Sequence, residues 1–207
     1  MLILQQQQKL LSILNAVIDE NSYDNAIQLD CALVTSAELL GSNDSQHIYR
    51  ATKQGQAVAA AIETTAPDGY SGKIRLVVGV TSSQAGSAKV TGVRVLEHKE
   101  TPGLGDKIDL RISNWVLGFD NQIYSEEIAS NWAVKKDGGQ FDQFTGATIT
   151  PRAVVNAVKL SVDYYLANQT AIFNAANSCA LNNTLDTIAE DAVAKDAIAK
   201  RVSESNE

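Results

Sequence analysis

Asp142-Gln143-Phe144-Thr145-Gly146-Ala147-Thr148-Ile149-Thr150-Pro151-Arg152 is the most informative stretch of this chain. Small residues there deliver a hydroxyl, that of Thr148, to the start of a helix. Free backbone N–H groups and the positive end of the helix dipole favour an anion at such a point, and Arg152 in the first turn supplies a charged donor. Gly146 permits a positive φ and close approach, and Ala147 keeps the space clear. A phosphate held there would lie beside the Thr148 hydroxyl. On physics alone, a turn followed by an ordinary capped helix is the commoner reading, because N-cap threonines are widespread.

Downstream of this stretch the pattern is helical. Thr150 is the expected N-cap and Pro151 the first helical residue, with Val154, Val155, Val158, Val162, Tyr165 and Leu166 as apolar faces. A final helix from about Thr184 to Val202 carries acids early and bases late, which suits its dipole. Upstream, Ala57–Thr65, Ile74–Val80 and Val90–Leu96 read as adjacent strands parted by Pro67-Asp68-Gly69 and by the Ser82–Ser87 loop. Ile74, Leu76, Val78 and Val80 share one face while Val77 joins the other, so that strand is expected to be covered on both sides. Ala32-Leu33-Val34 leads into a loop at Gly41–Ser45. Residues 97–139 read as loop-rich, with Trp115, Phe119, Tyr124 and Trp132 as core or ligand-lining aromatics. The fold expected is α+β, a mostly antiparallel sheet packed with helices, including one at each terminus.

A second glycine-rich run precedes the first: Glu100-Thr101-Pro102-Gly103-Leu104-Gly105. Pro102 stiffens the loop, and Gly103 and Gly105 remove side chains, so that backbone can lie against a flat ring or offer N–H groups to it. Glu100 and Thr101 are polar candidates for a ring edge, although a surface salt bridge suits Glu100 nearly as well.

Asp142-x-x-Thr145-Gly146-Ala147-Thr148 resembles the flavinylation signature of FMN-binding domains, and the run from Glu100 to Gly105 resembles that family's second hallmark. Residues 132–139 and 148–159 are similar to RnfG (RsxG), the flavoprotein subunit of the Rnf electron transport complex; the resemblance covers about residues 1–170. It implies FMN joined through its phosphate to Thr148 by a flavin transferase, with Thr145, Gly146, Ala147 and Arg152 around the attachment point. It also implies that Glu100, Thr101, Gly103, Leu104 and Gly105 lie beside the isoalloxazine. The family passes electrons between ferredoxin and NAD, coupled to ion movement, so the chain would be a relay with the other Rnf subunits as partners. It would sit at the bacterial inner membrane, facing the periplasm. The expected organisation is an N-terminal helix at 1–20, an FMN-binding domain at 21–170 and, beyond the reach of the resemblance, a helical tail at 171–207. The closest rival is the NqrC subunit of the sodium-translocating NADH:quinone oxidoreductase, which carries the same motif. A non-redox scaffold, or a hydrolase using Thr148 as nucleophile, are readings from other classes.

Composition bounds the rest. The 207 residues are 44% hydrophobic, enough for a real core, and 17 basic against 24 acidic residues give a net charge of −7. Such a balance argues against a phosphate-neutralising surface and hence against nucleic acid. Two histidines, His47 and His98, and two cysteines, Cys31 and Cys179, are too few for clustered metal ligands, so a redox cofactor would be organic. One-electron transfer through the flavin that the resemblance implies needs no general base, so His98 is not expected to be catalytic. The cysteines are compatible with one disulfide or two buried thiols. No apolar run reaches the roughly 20 residues of a membrane helix. Leu10, Leu11, Leu14, Val17 and Ile18 form the apolar stripe of a first helix, and the stub Leu2-Ile3-Leu4 before it is equally compatible with a cut membrane anchor and with an ordinary helix start.

Overall fold

A computed structural model describes residues 2–180. Six antiparallel strands follow one another in simple order, each hydrogen-bonded to the next: β1 (Cys31–Ser36), β2 (Ser42–Lys53), β3 (Gln56–Ala66), β4 (Ile74–Ser82), β5 (Ser87–Glu97) and β6 (Gln122–Ser125). Helix α1 (Leu2–Asn15) precedes them, α2 (Ala37–Leu40) joins β1 to β2, and α3 (Ile149–Asn174) follows β6. The α+β class holds, with a larger sheet than the three strands foreseen. β1, β2 and β6 are the strands not foreseen, and β2 is the longest of them: Ser42–Ser45, read as loop, belongs to it, and it runs on through Gln46-His47-Ile48-Tyr49-Arg50. Its Gln, His and Arg break the apolar alternation, but Gln46 and Arg50 are buried and partnered, so polarity there did not mean exposure.

Both faces of the central strands are covered. Ile74, Leu76, Val78 and Val80 pack into one core with Val154, Val155, Val158 and Val162 of α3. Val77, Ala59, Ala61 and Tyr49 pack on the opposite face with Leu14, Val17, Ile18 and Ile27. Burying each large aliphatic of these sets contributes roughly 1.5–3 kcal/mol. Val17 and Ile18 lie beyond the end of α1 rather than on its stripe, because the chain turns there to cross the sheet. Gly79 makes that crossing possible: a Cβ on it would stand 2.2 Å from the Val17 carbonyl oxygen. The Thr91 hydroxyl donates to the same oxygen.

Helix α3 runs unbroken past residue 170, and its end is tied to the sheet. The buried Arg50 guanidinium donates to the carbonyls of Ile172 and Ala175, at 3.2 and 2.6 Å, and its Nε donates to Asp30 at 2.7 Å. A cation on the last carbonyls of a helix satisfies groups the helix leaves unpaired. Cys31 and Cys179 form a disulfide, with Cα atoms 5.3 Å apart. The helix expected from Thr184 to Val202 lies outside the described residues. Among the described residues, no helix is long and apolar enough to cross a membrane.

Candidate functional site

Aromatic packing builds the turn at 144–147. Phe144 is buried, edge-on to Trp115 with ring centroids 5.2 Å apart, and Trp115 in turn meets Phe119, which stacks on Phe141 at 4.5 Å. Trp132 and Tyr124 continue the cluster. The aromatics of the middle segment are therefore scaffold. The Trp115 indole N–H donates to the Asp142 carbonyl at 2.8 Å, and Lys135 donates to the Asp142 carboxylate at 2.6 Å. With both ends fixed, Ala147 N–H closes on Phe144 O at 3.1 Å, and the turn requires φ +77° at its third residue, Gly146.

This turn feeds α3 two residues earlier than the sequence suggested. The cap position is Thr148 and the first helical residue Ile149, so Thr150 and Pro151 are the second and third residues of the helix. Pro151 is tolerated there because the first N–H groups of a helix have no intrahelical acceptor. Thr148 makes no side-chain cap hydrogen bond, and its hydroxyl is uncommitted among the described residues. Thr150 is instead buried, and its hydroxyl donates to Glu100.

The second run folds against this helix start. The N–H groups of Leu104, Gly105 and Asp106 all turn to the Thr101 carbonyl, at 3.1, 3.1 and 3.4 Å. They are thus consumed within the loop rather than offered to a ligand. Among the described residues Glu100 makes no salt bridge: it is only 4% exposed and accepts from the Ser71 N–H at 2.9 Å and from Thr150. Gly105 fits because nothing larger does; a Cβ there would lie 2.7 Å from Thr150 Oγ1 and 2.9 Å from Glu100 Oε2. The Glu100 N–H donates to His98 Nδ1 at 3.1 Å, so that imidazole supports the loop.

Between the two runs lies a cavity of about 280 Å³. Glu100, Thr101, Leu104 and Gly105 line one side, and Gly146, Ala147 and Thr148 the other. Thr145, Gly103 and Arg152 are not among its walls. Arg152 is drawn aside by Asp137, with contacts of 2.6 and 2.9 Å, so it is not a free donor at the helix start. Three wall residues were not foreseen: Tyr70, Ile149 and Thr150. Tyr70 follows an ordinary Pro-Asp-Gly turn, and only the register of β3 and β4 brings that turn to the cavity. Neither histidine lines it.

The FMN-binding domain family matches residues 69–163, which span both runs and the cavity between them. The chain carries an FMN-binding domain. Curated relatives make the assignment more particular. In Pseudoalteromonas atlantica, the G subunit of an ion-translocating oxidoreductase complex is 67% identical over 176 residues, covering 85% of this chain and 80% of the relative. Its namesakes in Vibrio cholerae and Shewanella loihica are 54% and 50% identical over 175 residues, each covering 84% of this chain and 81% of the relative. The chain belongs to the RnfG family, the G subunits of ion-translocating oxidoreductase complexes. Among solved structures, that of Shewanella oneidensis NqrC aligns over 75% of this chain and 72% of its own, at 16% identity and a TM-score of 0.45.

Proposed function

We propose that this chain is the FMN-carrying electron relay of an ion-translocating oxidoreductase complex, with FMN esterified through its phosphate to Thr148. The observation that carries this reading is the meeting of two sequence-distant runs, 100–105 and 146–148, as opposite walls of one cavity whose mouth holds an uncommitted threonine hydroxyl. A flat ring attached at Thr148 would find the apolar side chains of Leu104 and Ile149 among its walls, with the small residues Gly105, Gly146 and Ala147 giving it room. The cavity is near the lower end of the range for ligand pockets, about 300 Å³, which suits a tethered ring left partly open to a partner. FMN, when bound, accepts electrons and passes them on.

The protein's part is to hold and to tune. The start of α3 sets backbone N–H dipoles toward the phosphate of an ester at Thr148. The buried Glu100 places its carboxyl oxygens beside the ring site, and they are fixed there by Ser71 and Thr150. We further propose that the relay serves the ferredoxin:NAD branch of this chemistry, at the periplasmic face of the inner membrane, with the other subunits of the complex as partners and a flavin transferase as its maturation enzyme. The names of its relatives favour this over an NqrC-type subunit.

The test is expression with export and a flavin transferase, followed by in-gel flavin fluorescence and intact mass. The reading expects a fluorescent band surviving denaturation and a mass gain of FMN less one water. An unmodified chain, beside a control flavoprotein that the same transferase modifies, would overturn it in favour of a non-redox scaffold.

A further inference from the structure

Tyr70 is the one aromatic side chain among the cavity walls, and neither glycine-rich run contains it. It is 68% exposed, and it shares the cavity with Leu104 and Ile149, themselves about half exposed. Isolated apolar side chains in water are ordinary, but three large ones around one cavity make a patch of the kind that marks a binding surface.

The backbone beneath Tyr70 is held firmly. Gly69 packs so closely that a Cβ on it would stand 2.3 Å from the Gly72 carbonyl oxygen and 2.9 Å from the Ile74 side chain. On the other side, the Ser71 N–H is anchored at 2.9 Å on the buried carboxylate of Glu100, which also holds Thr150 at the start of α3. One carboxylate thus ties the residue after Tyr70 to the helix that begins at Thr148. The ring itself has no hydrogen-bond or ring-stacking partner among the described residues. A fixed backbone carrying an unpaired aromatic ring at a cavity mouth is the arrangement of a ligand contact rather than of core packing.

We propose that Tyr70 is the aromatic wall of the flavin site, its phenol ring stacking on the isoalloxazine of a flavin held at Thr148. This rests on the flavin reading above and adds to it a residue that neither run identifies. Stacking has a direct optical consequence. A phenol in contact with an excited isoalloxazine gives it one electron, which returns to the phenol as the pair relaxes, so the bound flavin emits weakly.

The experiment uses the full chain, exported with the transferase, as unsubstituted protein and as Tyr70→Phe, Tyr70→Ala and, as a control, Tyr23→Phe. Intact mass counts bound flavin independently of its emission, and emission lifetime is then read per bound flavin. With Tyr70 as the wall, Tyr70→Phe and Tyr70→Ala carry the full adduct but emit several-fold more strongly, with a longer lifetime, while Tyr23→Phe matches the unsubstituted chain. Iodide then separates stacking from electron donation: Tyr70→Ala opens the ring face to the quencher and Tyr70→Phe does not. Equal emission per flavin in all four proteins would overturn the proposal while leaving the flavin reading intact. Absence of the adduct from the unsubstituted chain would overturn both. Tyr70 is exposed, so its replacement leaves the core and the fold in place.

Discussion

Thr150, the second residue of α3, donates its hydroxyl hydrogen to the buried carboxylate of Glu100, and this bond joins the two halves of the cavity. Removing either partner leaves the other buried without its match. Thr150→Val and Glu100→Gln are each expected to lower stability by about 1–3 kcal/mol. The double variant should lose less than the sum, because the second change removes a group already unpaired. Urea unfolding of the four proteins checks this; additive losses would mean that the bond is not energetically coupled.

Flavin attachment separates the clustered threonines. Thr148→Val is expected to abolish the covalent adduct, while Thr145→Ser and Thr150→Ala retain it. Intact mass after co-expression with the transferase reads the outcome. An adduct on Thr148→Val would move the attachment point to another residue.

Gly105→Ala tests the close packing of the loop. The added methyl group would meet Thr150 Oγ1 and the Glu100 carboxylate at 2.7 and 2.9 Å, and neither can retreat from the buried bond they share. Overpacking of this kind costs about 1–3 kcal/mol. Chemical unfolding should show the loss, and flavin loading should fall with it.

The disulfide closes nearly the whole described chain, from β1 to the segment beyond α3. Cross-linking so long a loop restricts the unfolded chain, and its loss is expected to cost about 2–5 kcal/mol. A dithiol should lower the melting temperature of the unsubstituted protein and leave that of Cys31→Ser/Cys179→Ser unchanged. Equal melting with and without reductant in the native chain would show that the bond adds nothing.

Asp109 supplies an acid-labile contribution. Hydrogen bonds from Arg111 hold its carboxyl down to about 2, from an ordinary 3.8, against the opposing effect of burial. A carboxyl depressed in the folded state stabilises the fold above its ordinary value, and that share is lost as pH falls from about 4 to about 2. Asp109→Asn should flatten this part of the stability profile. Parallel profiles for the two proteins across that window would discount the pair, whose arginine is largely exposed.

The legible parts of the molecule were those set by local pattern. The alternation of Ile74, Leu76, Val78 and Val80, with Val77 opposed, gave both the strand and its burial on two faces. The runs at 100–105 and 142–148 named seven of the cavity's ten walls. β2 was hidden because its polar residues are buried on hydrogen bonds: Gln46 on the nearby Leu40 carbonyl, and Arg50 on partners distant in sequence, among them the end of α3. The cap was misplaced by two residues because Thr148 and Thr150 are equally good capping types. What separates them is the presence of Glu100 beside Thr150, a contact across the fold.

By itself, then, the sequence determined the class of sheet, the family and the two short runs that wall the cavity, because periodicity and short motifs act over a few residues. Only the tertiary structure decided that Glu100 is a buried tie, that Arg152 is held by Asp137, that the cysteines meet and that Tyr70 stands at the cavity. Each of these depends on which segments the strand register and the path of α3 bring together, and no local pattern encodes that distance.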